Sequence, residues 1–217
     1  MKKFISLLSS GLDSPIAAYL MIKKGFKPIF LSFLTSDDKS GSMKNKIIEI
    51  AKKLRDLTNN YIRLYLINHD YNLTIFINKC DRKLTCILCK RLMIRIAKEI
   101  GLKENTNIIV TGDILGEQAS QTLDNLYSYN NILKNFIILR PLIGFDKLDV
   151  IKLNQNLGLY EITSRQTAGC KFNPQYPETH AKPFQISIEE KKVKIKKLID
   201  SSLKRAEILE FKPIENI

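Results

Sequence analysis

Two of the four cysteines, Cys86 and Cys89, form a C-x-x-C pair ahead of a helical stretch, and a third, Cys170, lies in Ala168-Gly169-Cys170-Lys171 within an irregular, Pro-containing segment. Cys80 stands apart. A C-x-x-C pair brings two thiolates onto one centre, and a helix N-terminus with Lys83, Lys90 and Arg91 nearby is expected to lower their pKa values. Three readings compete: buried thiols without a role, a structural zinc site, and an iron–sulfur cluster. Structural zinc takes four ligands, commonly from two C-x-x-C pairs, and only one pair is present. Three cysteines that leave one position open suit a cluster, 4Fe-4S or 3Fe-4S, with an exchangeable sulfur at its unique iron. His69 and His180 are expected to be ordinary polar residues rather than ligands.

The second constellation is built for anions. An apolar run ends in Ser9-Ser10-Gly11-Leu12-Asp13-Ser14, after which a helix begins at once. Small side chains in such a turn let backbone N–H groups approach a phosphate, and the helix dipole favours its charge. No G-K-[ST] follows, which excludes the Walker P-loop. An ordinary βα turn capped by Asp or Ser is the plain alternative. Further on, Gly112 stands at a strand's C-terminal edge, where an open α/β sheet binds its ligand, and Asp113 beside it could hold Mg²⁺ or orient a nucleophile. Gln118 and Gln121, three apart, are placed on one helical face able to hydrogen-bond a nucleotide. Taken alone, Lys147 reads as a solvated residue at a helix start.

Ser-Gly-Gly-x-Asp-Ser after a first strand is the PP-loop of ATP pyrophosphatases, and residues 9–14 resemble it with Ser10 in place of the first Gly. That exchange is expected to restrict the backbone, because Ser resists φ > 0. The loop, the block Thr111-Gly112-Asp113-Ile114-Leu115-Gly116-Glu117-Gln118-Ala119-Ser120-Gln121, and Leu139-Arg140-Pro141-Leu142-Ile143-Gly144-Phe145-Asp146-Lys147 together resemble the catalytic domain of the tRNA 4-thiouridine synthetases, or tRNA sulfurtransferases, from Lys3 to about Thr179. Glu117 stands where Gln is usual. The resemblance implies that ATP touches Leu7, Leu8, the loop Ser9, Ser10, Gly11, Asp13 and Ser14, then Ser32, Phe33, Lys90, Gly112 and Gln121. It places Asp13 and Lys147 in catalysis and matches Cys170 to the family's catalytic cysteine, either a cluster ligand or a persulfide carrier, with ligand preferred. Archaeal-type members carry a C-x-x-C plus one later Cys, whereas many bacterial members use a rhodanese domain. The implied reaction is ATP-dependent adenylation of a tRNA uridine and replacement of its C4 oxygen by sulfur. The alternatives are a PP-loop thiolase for another RNA position or a small molecule, and a non-catalytic iron–sulfur or RNA-binding subunit.

These residues need a scaffold that brings four distant segments together. Apolar runs alternate with amphipathic stretches, the sign of an α/β fold with a mostly parallel twisted sheet and helices on both faces. Strands are expected at Phe4–Leu8, Lys27–Leu34, Tyr61–Ile67, Asn107–Thr111 and Phe136–Leu139. Helices are expected at Ser14–Lys24, Ser42–Leu57, Cys89–Ile100, Gln118–Tyr127, Lys147–Asn156 and, as one charged tail, Ser187–Leu209, with residues 159–186 irregular. Residues 1–186 read as the PP-loop domain and 187–217 as its charged helical extension. With 44% hydrophobic residues in 217 the chain can fill one core. No apolar run approaches the ~20 residues that span a bilayer, so a cytoplasmic chain without a membrane partner is expected. Four cysteines are too few for a disulfide-framed miniprotein. The net charge of +13 favours a polyanion such as tRNA, although a lysine-rich solvated surface would give the same sum. The loop begins at residue 9, so the RNA-gripping THUMP module is expected to be supplied by a separate subunit or by a homodimer, and the sulfur by sulfide or a persulfide carrier.

Overall fold

The structure, a computed structural model, describes residues 2–35, 41–167 and 169–214. The order of elements is β1 (Lys3–Leu7), α1 (Asp13–Lys23), β2 (Lys27–Leu34), α2 (Ser42–Thr58), β3 (Ile62–Asn68), α3 (Asp70–Lys79), α4 (Thr85–Lys103), β4 (Ile108–Val110), α5 (Leu123–Tyr127), β5 (Ile137–Leu139), α6 (Lys147–Asn156), α7 (Tyr160–Thr163), α8 (Pro183–Lys191), α9 (Ile195–Lys204) and β6 (Glu207–Phe211). The strands form one sheet in the order β5-β4-β1-β2-β3-β6. All neighbours run parallel except β6, which pairs antiparallel with β3 along Ile62↔Phe211 to Leu66↔Glu207.

The inner strands are apolar along their length because helices cover both faces of a parallel sheet. One layer packs Ile16, Ile50, Leu54 and Val150 of α1, α2 and α6 against Phe4, Phe30 and Leu64. The other packs Phe76, Leu88, Leu92, Ile96, Ile186 and Leu198 of α3, α4, α8 and α9 against Ile5, Leu31 and Ile67. Gly25, at φ +86°, ends α1 in a left-handed turn that feeds β2 directly. The chain fills the sheet from β1 outward to β3 and then returns to place β4 on the other side of β1. That reversal opens a crevice at the C-terminal ends of β1 and β4, the switch point where such sheets bind ligands.

The expected fold class holds, and several elements differ from expectation. Residues 70–79 form α3, where no element is expected from the sequence, and α4 starts at Thr85, so Cys86 and Cys89 lie inside its first turns rather than ahead of it. The expected helix Gln118–Tyr127 is a 3₁₀ turn at Ala119–Gln121 followed by the short α5, because Thr122 is extended and caps α5 by accepting from Asn125 N–H. The expected charged tail helix breaks after Lys191 into α8, α9 and the edge strand β6. The segment 159–186 contains one further short helix, α7. No helix among the described residues is long and apolar enough to cross a membrane.

Arg91 locks α4 to α8. It is 2% exposed and donates to Glu190 Oε1 (2.8 Å) and Oε2 (3.0 Å), to the Ser128 carbonyl and to Asn131 Oδ1 (2.9 Å), while Arg95 also donates to Glu190. Burial alone would raise the Glu190 pKa, but the two guanidiniums outweigh it and hold the group below the ordinary carboxylate value. Glu190→Ala leaves the Arg91 charge buried without its carboxylate and is expected to lower stability by about 3–5 kcal/mol, read as a reduced denaturation midpoint at unchanged slope.

Candidate functional site

All five parallel strands end on the same edge of the sheet, and each delivers a polar residue there: the Ser9–Ser14 loop after β1, Ser32 in β2, His69 after β3, Gly112 and Asp113 after β4, and Arg140 after β5. Within the loop, Ser9 N–H donates to Ser14 Oγ (2.8 Å), the two hydroxyls lie 3.0 Å apart, and Gly11 N–H reaches Ser9 Oγ (3.3 Å). Neither Ser10 nor Gly11 has a positive φ, so the expected backbone restriction at Ser10 does not arise: this turn needs no left-handed residue. Asp13 is the first residue of α1, and Lys147 the first of α6. Lys147 Nζ donates to Asp13 Oδ1 (2.7 Å) and Oδ2 (2.9 Å) and stands 3.3 Å from Glu117 Oε1. Partial burial lowers its pKa, but the two carboxylates outweigh that and hold the amine above its ordinary value, fully charged.

Asp113 is 3% exposed, and its oxygens accept from Lys90, Gln121 Nε2 (3.3 Å), Thr111 Oγ1 (2.8 Å) and Arg140 Nε (3.3 Å). Desolvation opposes ionisation, yet Lys90 and its neighbours outweigh it and keep the carboxyl below the usual range. Gln121 therefore braces Asp113, while its Oε1 and Arg140 Nη2 are buried without a hydrogen-bond partner among the described residues. Gln118 is exposed and extended ahead of the 3₁₀ turn, so the two glutamines share a cavity but no helical face. Ser32 is fully buried and donates to the Leu8 carbonyl (2.7 Å), bracing the end of β1.

A cavity of about 410 Å³ gathers these groups. Its lining includes Ser9, Asp13, Lys90, Gly112, Asp113 and Gln121 on one side and Cys86, Cys89 and Cys170 on the other. Spacing of three in α4 puts Cys86 and Cys89 on one helical face, and the segment after α7 brings Cys170 to them. That segment is anchored by Lys46, a buried amine that donates to the Thr163 and Arg165 carbonyls. A second, more apolar cavity of about 190 Å³, lined by Leu7, Leu8, Ser10, Phe33, Thr35, Met43 and Ile47, shares Leu7, Ser9, Met93 and Cys170 with the first.

The cysteines are not activated as expected. Burial, then the neighbouring thiols, push Cys86 and Cys89 upward and outweigh the opposing pull of Arg82 on Cys86 and of Lys90 on Cys89, while Lys90 is paired with Asp113 and Arg91 with Glu190. Cys80 lies outside the cavity, against the Glu189 carbonyl (3.5 Å), and burial pushes it to about 11. Among the described residues no three His, Cys, Asp or Glu side chains converge tightly enough for one metal ion. A cluster spreads its ligands over several irons and takes thiols set further apart, so three thiols around one cavity fit a cluster better than zinc. His69, read from the sequence as an ordinary polar residue, is buried with its Nε2 3.4 Å from Cys89 Sγ. Its signal was its place at the C-terminal edge of a parallel strand. His180 lies at the surface, with Nδ1 2.8 Å from Asp124 Oδ2. The lysines of the tail are exposed: Lys194, Lys196, Lys197 and Lys204 rim a shallow depression on α9.

Comparison with known proteins agrees with this geometry. The family model described as thiamine biosynthesis protein (ThiI) matches residues 1–195. The probable tRNA sulfurtransferase of Methanosarcina mazei is 39% identical over 211 residues, 96% of this chain and 52% of that protein. Its counterpart in Methanocaldococcus jannaschii is 36% identical over 199 residues, 89% of this chain and 50% of that protein. The chain thus spans about half the length of the curated relatives it matches. The crystal structure of a 4-thiouridine synthetase in complex with RNA and bound ATP superposes with a TM-score of 0.91 at 27% identity, covering 97% of this chain and 55% of that one. The NMN synthetase of Francisella tularensis shares the fold alone, with a TM-score of 0.58 at 17% identity. A β1 turn of the PP-loop kind, a lysine bridging two carboxylates and three cysteines on one cavity thus coincide with a match over nearly the whole chain, and the chain belongs to the ThiI family.

Proposed function

We propose that this chain is the catalytic unit of an ATP-dependent tRNA sulfurtransferase that makes 4-thiouridine. The observation that carries the reading is one cavity in which the anion-binding loop, Asp13 with Lys147 paired behind it, and Cys86, Cys89 and Cys170 meet. ATP lies with its phosphates on the amides of Ser9–Ser14 and at the N-terminus of α1, and its base in the apolar cavity beside Phe33 and Met43. The uridine O4 attacks the α-phosphorus and pyrophosphate leaves. Lys147 is held ready for the charge that develops on the phosphate. Asp113 is buried and saturated by four donors, so it works through Lys90, whereas Asp13, met by Lys147 alone among the described residues and opening onto the cavity, would be the carboxylate for Mg²⁺. Adenylation converts a poor oxygen leaving group into AMP, which sulfur displaces at C4. Cys86, Cys89 and Cys170 would hold an iron–sulfur cluster that supplies an exchangeable sulfide.

The test is tRNA incubated anaerobically with the chain, ATP, Mg²⁺ and sulfide, followed by mass spectrometry of its nucleosides. 4-Thiouridine and pyrophosphate in equal amounts are expected, and failure to form either overturns the reading. Cys170→Ser is expected to abolish thionucleoside formation by roughly 10³-fold or more while ATP-dependent pyrophosphate release persists, because the substitution removes the sulfur chemistry and leaves the phosphate site intact. The family description, a thiamine biosynthesis protein, favours a second reading in which the same sulfur passes to a small molecule. Thiolation of small-molecule acceptors without tRNA would separate the two.

A further inference from the structure

His69 follows β3 and is 1% exposed, in contact with Phe33 of β2, Asn72 of α3 and Cys89 of α4. Asn72, one turn on in α3, places Nδ2 3.1 Å from His69 Nδ1 and 2.9 Å from Ser202 Oγ of α9. With the amide set so that Nδ2 faces both neighbours and Oδ1 is buried without a partner among the described residues, each neighbour receives one of its two hydrogens, an arrangement in which Nδ1 accepts and the ring hydrogen sits on Nε2. Nε2 stands 3.4 Å from Cys89 Sγ, whose own hydrogen goes to Met93 Sδ at 3.7 Å. In that arrangement donation runs one way, from Asn72 to His69 to Cys89 to Met93. The Phe33 ring meets the imidazole edge-on at a centroid distance of 4.9 Å and fixes its plane. Cys86 has the opposite environment: its thiol faces an acceptor, Asn173 Oδ1, at 3.8 Å.

We propose that His69 is a positioning residue for the Cys89 sulfur, presenting Nε2–H to Sγ from a ring oriented by Asn72 and Ser202. The inference rests on the proposed sulfur chemistry of the cavity. A donor aimed at one of three cysteine sulfurs fixes that side chain toward the cavity and stabilises negative charge on it selectively. For a sulfur that ligates iron, such a hydrogen bond favours the reduced state and raises the potential.

Two measurements test it. In metal-free, reduced protein labelled with ¹⁵N-histidine, His69 is expected to carry its hydrogen on Nε2, with a signal that moves in Cys89→Ser and stays in Cys86→Ser. A hydrogen on Nδ1, or a signal indifferent to Cys89→Ser, overturns the proposal. In protein reconstituted anaerobically with ferrous iron and sulfide, His69→Phe is expected to shift the reduction potential negative at unchanged iron content. His69→Gln, which returns an N–H donor, restores part of the shift and stands in if the Phe variant does not fold. An unchanged potential in both variants overturns the proposal. If the unsubstituted chain takes up no iron, the cluster reading fails, and the histidine spectrum alone decides the inference.

Discussion

Lys147→Met is expected to reduce ATP-dependent pyrophosphate release by about 10²–10³-fold while leaving the fold almost untouched, because its ammonium stands where phosphate charge develops. The structure separates these two effects. A lysine as the first residue of a helix opposes the dipole, so its placement in α6 does not serve helix stability. Its ion pairs with Asp13 and Glu117 are partly open to water, with about a third of the Lys147 side chain exposed, and pairs of that kind contribute at most about 1 kcal/mol. The measurement is kcat for pyrophosphate release beside the denaturation midpoint. A loss of activity that tracks a large loss of stability would refute the assignment. Glu117→Gln is the informative companion, since it removes the weaker 3.3 Å partner and keeps both Asp13 contacts. Activity within about threefold of the unsubstituted chain is expected. If Glu117→Gln fell as far as Lys147→Met, the carboxylate rather than the amine would carry the chemistry.

The sheet was legible because β1 to β5 are apolar runs bounded by Gly or polar turns, and a strand buried on both faces has little room for anything else. The elements that escaped are those whose pattern is set by partners instead of by period. In α3, Thr74, Ile75 and Ile77 are β-branched and the stripe facing α4 is short, so propensity and periodicity both argued against a helix that packing against α4 nevertheless holds. In β6, Ile208 and Leu209 lie between Glu207 and Glu210, with Phe211 after them, at the end of a lysine-rich stretch, and what makes them a strand is the free edge of β3. At the site, the loop and the C-x-x-C pair were readable from residue types. What could not be read was which groups would already be engaged. Lys90 beside Cys89 looked like an activating cation until Asp113, 23 positions away, proved to hold it. His69 looked ordinary because its partners Asn72 and Cys89, and the Ser202 that holds Asn72, come from three separate helices.

Gly112→Ala is expected to disable nucleotide binding from a position that contributes no side chain at all. A Cβ at residue 112 would lie 2.6 Å from Ser14 N, 2.7 Å from Ser14 Cα and 2.9 Å from the Asp13 carbonyl carbon. All three are backbone atoms of the first turn of α1, so no flexible side chain can swing aside, and either β4 or the start of α1 must shift. β4 is pinned between β1 and β5, and Ile16, Ala17 and Ala18 of α1 are fully buried, so the strain falls on the turn that presents the loop amides. Overpacking of this kind costs about 1–3 kcal/mol of stability. A displacement of about 1 Å at a phosphate site is enough to lose on the order of 10²-fold in rate. Calorimetric titration with ATP is therefore expected to show an affinity at least about tenfold weaker, alongside a lowered denaturation midpoint. Gly144→Ala provides the control, because a Cβ there meets nothing within 4 Å and the residue has no positive φ. The control is expected to keep both affinity and stability. Equal behaviour of the two variants would mean that close packing of β4 against α1 is not what shapes the anion site.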